Sequence, residues 1–153
     1  RPRNLLSDKY TNDIRERNGV RTIDMKRGLR EIVHDLQENR LVAILADQNA
    51  GKSGLIKDFL GFPASHWKGV AKLSLSYKIP IIHGFVVRQN DDSLRFEFSR
   101  MIYHPDLADD EKHYIDVLDE IDKTIESYIV EYPEQWFWVH KRWKHGFNMF
   151  AND

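Results

Sequence analysis

No cysteine occurs in the 153 residues, which removes thiol nucleophiles, disulfides and cysteine-ligated zinc together. An excess of one charge is missing too, since 23 Lys and Arg face 24 Asp and Glu for a net charge of −1. Any anion-binding surface must therefore come from local clustering. No apolar run approaches the roughly 18 residues of a membrane-spanning helix, and the first residues lack a signal peptide's apolar core. The chain itself is thus not expected to cross a bilayer. Neither His-Glu-x-x-His nor Gly-x-Ser-x-Gly is present, so the common zinc pair and the hydrolase serine elbow drop out, and no metal or cofactor is expected. What remains is one domain's length, 1–153, with 41% hydrophobic residues, enough to bury a core.

Periodicity supplies the elements. Residues 5–18 are polar with sparse apolar positions and end before Gly19, which predicts an exposed helix. Residues 21–24 read as a short edge strand. Leu29, Ile32, Val33 and Leu36 recur at helical spacing within 26–39, an amphipathic helix. The continuous apolar run 41–45 reads as a strand covered on both faces. Ser65 is placed to cap a helix carrying Trp67, Val70, Ala71, Leu73 and Leu75 before Pro80. Residues 81–87 read as the next buried strand and 90–93 as a turn. Leu94, Phe96 and Phe98 then alternate with Arg95, Glu97 and Ser99 as a half-exposed partner strand. The longest helix is expected over 109–131, with Ile115, Leu118, Ile121, Ile125 and Ile129 on one face. This alternation predicts an α/β fold: a mainly parallel sheet flanked by helices, with an antiparallel hairpin near one edge.

Residues 41–54, LVAILADQNAGKSG, look like a strand feeding a phosphate-binding loop. Gly51, Lys52 and Ser53 fit that pattern, but Ala46 stands where its first glycine belongs. The segment after Ser53 also meets Gly61 too soon for a following helix, so no nucleotide site is expected. In open α/β sheets ligands gather beyond the carboxyl ends of strands, which singles out Asp47, Gln48 and Arg88. Arg88 offers a fork for phosphate or carboxylate; an ion pair that merely closes a loop explains the same residues equally well. Among the seven histidines, His34 reads as a surface residue of its helix. Three of the four tryptophans lie in 133–144, where Trp136, Trp138 and Trp143 alternate with Lys141, Arg142 and Lys144. Rings beside cations suit stacked bases, a lipid interface with headgroup phosphates, or simple core packing with solvated charges. The lipid reading places Trp136, Trp138, Arg142, Trp143 and Lys144 on the membrane or headgroup side.

Taken together, the order of motifs resembles one family. Arg1-Pro2-x-Asn4, then Asp47-Gln48, Phe59-Leu60-Gly61-Phe62-Pro63-Ala64 and Ile79-Pro80-Ile81-Ile82 running to Arg88 are closed by Pro133-Glu134-Gln135-Trp136-x-Trp138-x-His140-x-Arg142-Trp143-Lys144. The series is similar to the lipid A biosynthesis acyltransferases of the lysophospholipid acyltransferase superfamily, and the last motif is its most specific part. The resemblance implies a Gram-negative inner-membrane enzyme, acting at the cytoplasmic face, that moves a fatty acyl chain from acyl carrier protein to a hydroxyl of a lipid A precursor. It implies that Asp47-Gln48 belongs to the acceptor site and that Arg1 lies near the reaction centre, with substrate contact its role. The family's catalytic His-x4-Asp/Glu motif precedes the segment like Arg1-Pro2, so it is expected upstream. On this reading the chain is the C-terminal part of a longer enzyme and is inactive alone. His104 followed by Asp109 matches the motif formally and is expected to be a decoy, because Asp109 and Asp110 suit a helix start. A non-catalytic lipid-binding module of the same fold is the alternative. A nucleic-acid-binding domain is a weaker one, against which the charge of −1 weighs.

Overall fold

The computed structural model describes residues 4–23 and 28–147. Contacts within the chain divide it into two units, Arg1–Ala43 and Ile44–Asp153.

In the first unit, α1 spans Leu5–Arg17. The Asn4 side chain accepts from the Leu6 and Ser7 N–H groups, filling two of the donors that a helix start leaves open. Asp8 in its first turn and Arg15 and Arg17 in its last suit the helix dipole, and none of its residues is buried, as the sparse apolar pattern predicts. The second helix, α2, spans Leu29–Gln37 and buries Ile32 and Asp35. A buried carboxylate needs partners, and Arg21 and Arg40 supply them; Arg21 also pairs with Glu31 at 2.9 Å. Residues 21–23 are therefore irregular rather than an edge strand: Arg21 is committed through its side chain to α2. Asp24 lies outside the described residues.

The run 41–45 is not a strand either, and Leu41 and Leu45 are 97% and 85% exposed. An apolar run forms a strand only where a neighbour offers a hydrogen-bond ladder, and the strands of the second unit take their partners locally.

In that unit β1, Leu55–Phe59, pairs antiparallel with β2, Phe62–His66, from Leu55↔His66 to Phe59↔Phe62. Leu60 and Gly61 join them with φ of +51° and +78°, the left-handed pair that a tight two-residue turn requires. Ser65 thus sits inside β2 instead of capping a helix, and its hydroxyl donates to the Gly51 carbonyl at 2.7 Å. The helix that follows, α3, spans Gly69–Tyr77 and buries Ala71, Leu73, Ser74 and Leu75. A second hairpin pairs β3, Gly84–Arg88, with β4, Leu94–Phe98, through the expected turn at 90–93. The strand predicted over 81–87 begins late; residue 81 makes only an isolated bridge to Ile102.

The long helix α4, Glu111–Glu131, begins at the capping carboxylate of Asp110, which accepts from the His113 N–H. Its buried face, Val117, Leu118, Ile121, Ile125 and Ile129, packs with Phe59, Ala64, Ala71, Leu75 and Ile102 as one core. Ile115, expected on that face, is 37% exposed, and Tyr114 and Val117 are buried instead. The described residues end with a 3-10 turn, Pro133–Gln135, and a short helix α5, Lys144–Phe147. The fold is mixed helix and sheet, but its two sheets are antiparallel hairpins, and the mainly parallel sheet is not found among the described residues. A parallel pair needs a crossover of a dozen or more residues; here each strand meets its neighbour within one short turn.

Candidate functional site

The β1–β2 hairpin, α4 and the tryptophan-rich segment bring a group of charges inside the second unit. Asp122 of α4 is 5% exposed. It forms an ion pair with Lys57 of β1 and lies 3.0 Å from Nε2 of His66 of β2. Lys57 also reaches Asp119 at 2.9 Å. Burial pulls the Lys57 ammonium down, but the hydrogen bonds and charges of Asp122 and Asp119 outweigh it and hold the group above its ordinary value. The other His66 nitrogen, Nδ1, lies 3.0 Å from the Ala64 carbonyl. With the ring buried and Nε2 making no hydrogen bond despite the nearby Asp122, His66 is packed between hairpin and helix and is not an accessible base.

Arg142 is fully buried beside this group. Its Nη1 donates to the Ser65 carbonyl at 2.5 Å, its guanidinium lies 4.6 Å from the Phe59 ring centroid, and Nε and Nη2 have no partner. Burial lowers its pKa, and the charges of Asp122 and Asp47 oppose that shift. The Asp47 loop is tied to the same segment through Asn49, whose Nδ2 donates to the Lys141 carbonyl at 2.8 Å and whose Oδ1 lies 2.9 Å from Nδ1 of His145. The structure therefore brings Asp47 into the electrostatic field of Arg142, with Gln48 exposed beside it.

Arg88 stands apart at the end of β3, exposed and 3.7 Å from Asp92. Its main chain exchanges two hydrogen bonds with the Gln135 side chain, at 2.8 and 3.1 Å. Arg1 lies outside the described residues.

Of the residues grouped toward a headgroup side, Trp136 and Trp143 pack against the core with ring centroids 5.9 and 6.3 Å from Phe59. Trp138 is half exposed and Lys144 exposed. Trp138 and Trp143 join Leu60 and Phe62 in lining an open apolar groove of about 410 Å³. Leu60 occupies a left-handed position that favours Gly or Asn. Its N–H is held by the Glu126 carboxylate at 2.6 Å, and its side chain walls the groove.

Ser53 is followed by β1 rather than by a helix, and the Gly51 carbonyl is taken by Ser65, so the lysine-containing loop lacks the helix N-terminus of a phosphate site. His104 pairs with Glu120 at 2.6 Å, whereas Asp109 receives the hydroxyls of Ser76 and Tyr114. The formal histidine-to-aspartate match is therefore not a pair in space. His34 is exposed on α2. Among the described residues no cluster of three or more His, Asp or Glu could hold a metal, and no helix is long and apolar enough to cross a membrane.

Sequence reasoning missed Lys57, His66, Asp119 and Asp122. One signal was available: Asp122 stands four residues after Leu118 and three before Ile125, a carboxylate on an otherwise apolar stripe.

The family model described as bacterial lipid A biosynthesis acyltransferase matches residues 1–145. No curated protein matches the chain.

Proposed function

This chain belongs to the bacterial lipid A biosynthesis acyltransferase family, and from that premise we propose that it serves acyl transfer. The protein is part of an enzyme that transfers a fatty acyl chain from acyl carrier protein to a hydroxyl of a lipid A precursor, at the cytoplasmic face of a Gram-negative inner membrane. A base removes the hydroxyl proton, the oxygen attacks the thioester carbonyl, and the carbon–sulfur bond breaks as the thiol leaves with the proton.

Among the histidines weighed above, His66 is buried between two oxygens, and His104 pairs with Glu120 rather than with Asp109. The resemblance to the family is what assigns the base to a His-x4-Asp/Glu pair upstream of Arg1. Asp47, Gln48, Arg88 and Arg1 are assigned to polar contacts with the acceptor, and Trp138 and Lys144 to the headgroup side.

The observation that carries this reading, beside family membership, is the apolar groove of Leu60, Phe62, Trp138 and Trp143. Its walls suit a hydrocarbon chain and offer little to a polar ligand. In the complete enzyme, Leu60→Trp should narrow the groove and shift donor preference toward shorter acyl chains. A donor profile identical to that of the unaltered enzyme would remove the groove from the acyl site.

A further inference from the structure

A strand with one wet face ordinarily turns its polar residues outward. In the β3–β4 hairpin, β4 does the reverse. In the observed register Gly84, Val86 and Arg88 share one face with Phe98, Phe96 and Leu94. Val86, Leu94, Phe96 and Phe98, with Ile82 just before the strand, are between 50% and 72% exposed.

The opposite face is held by α4. Phe85 stacks on Tyr128 with centroids 3.6 Å apart, Val87 is buried, and Glu97 and Arg95 bond the hydroxyls of Tyr128 and Tyr132 at 2.7 and 3.1 Å. A one-residue slip in register would break each of these contacts, so the outward apolar face is a fixed property of the hairpin. Single exposed apolar residues are ordinary, but five on one hairpin form a contiguous patch of the kind that marks an interaction surface.

The charges at its border say what covers it. Arg88 lies at one end and Arg100, also exposed, at the other. No carboxylate occupies positions 82, 84, 86, 94, 96 or 98 between them. The acidic residues nearby, Asp91 and Asp92, sit at the hairpin tip, where Asp92 makes only an exposed 3.7 Å pair with Arg88. We propose that this face of the β3–β4 hairpin lies flat on an anionic lipid bilayer, its apolar side chains at the acyl boundary, Arg100 against headgroup phosphates and Arg88 at the edge that meets the acceptor. Tip-first insertion is disfavoured by the two aspartates. The inference deepens the membrane part of the proposed function and rests on it, but it does not depend on which residues perform transfer.

The absence of cysteine permits a direct test, because a single introduced thiol can be labelled uniquely. Phe96→Cys and Lys123→Cys, the latter on the exposed side of α4, each carry an environment-sensitive fluorophore and are titrated with phosphatidylglycerol or phosphatidylcholine vesicles. The label at 96 should shift to the blue with phosphatidylglycerol vesicles and far less with phosphatidylcholine, while the label at 123 stays unchanged. Adding Arg100→Gln should weaken the response roughly fivefold, the loss of one cation near the surface. In the complete enzyme, Phe96→Ser with Phe98→Ser should lower transfer to acceptor held in vesicles and spare transfer to acceptor dispersed in detergent. Loss in detergent as well would count against the assigned chemistry rather than the docking face. No shift at 96, equal shifts at both labels, or a shift driven by protein concentration without vesicles would each overturn the proposal, the last by showing that a second copy covers the face.

Discussion

His83, half-buried beside Ser99, is a residue whose surroundings disfavour its charged form: burial lowers its pKa, with the charge of Asp122 pulling weakly the other way. A depressed histidine stabilises the fold above its unfolded value near 6.5 and loses that contribution as pH falls through the folded value. Proton NMR should therefore place the His83 midpoint below 6.5, and His83→Gln should reduce the loss of stability between pH 7 and about pH 5. Tyr114 gives the opposite edge. Its bond to Asp109 pushes it up to about 12, so the neutral hydroxyl is favoured in the fold and stability is lost as pH rises from about 10 toward 12. Urea titrations across that range should show a shallower decline in Tyr114→Phe, and an unchanged slope would mean the bond does not form in solution. Side-chain environments of this kind are what the sequence conceals most completely. Arg142 stands among Lys141 and Lys144 and looks like its neighbours, yet it is buried over Phe59 while they are exposed. Nothing in the spacing of three bases distinguishes the one that turns inward.

Elements were legible where periodicity was long. The α2 and α4 helices follow from their apolar spacing, α4 also from the acidic residues at its start, and α1 from a charged stretch closed by Gly19. The β1–β2 hairpin was not, because its turn is Leu60-Gly61 rather than the usual Asn-Gly, and a leucine at φ +51° leaves no turn signature. The apolar run 41–45 misled in the other direction, since hydrophobicity without a partner strand does not make a sheet. Alternation in β4 predicted a strand correctly and left its direction open; the tyrosines of α4 decide that Glu97 and Arg95, not Phe96, face inward. Packing between elements is equally specific at α5. A Cβ on Gly146 would lie 1.7 Å from the Pro63 carbonyl oxygen, so Gly146→Ala must push α5 off β2. Overpacking of this kind costs about 1–3 kcal/mol, and a thermal midpoint equal to that of the unaltered chain would show that the contact yields. Phe59→Ala, which empties the fully buried ring from the shared core, should cost more, about 3–5 kcal/mol by chemical denaturation.

At the scale of the whole molecule, family membership was more legible than architecture. The motifs from Asp47-Gln48 to Arg142-Trp143-Lys144 point to the family whose model spans residues 1–145, although the sheet they were placed on differs. Motifs survive such an error because they record local chemistry, whereas strand order depends on which segments find partners far along the chain. The groove between the β1–β2 turn and the tryptophans was legible only in pieces, as a Phe-Leu-Gly-Phe run and a Trp-rich run some 70 residues apart. The central claim is that this chain serves acyl transfer without supplying the base. The most direct measurement is transfer of a labelled acyl group from acyl carrier protein to a lipid A precursor, by the complete gene product and by residues 1–153 side by side. The account predicts product from the complete enzyme, none from the chain alone, and a loss in Asp47→Ala that exceeds its loss of stability. Transfer by the chain alone that disappears in His104→Ala would contradict it, as would a complete gene product that binds acyl chains and never transfers them.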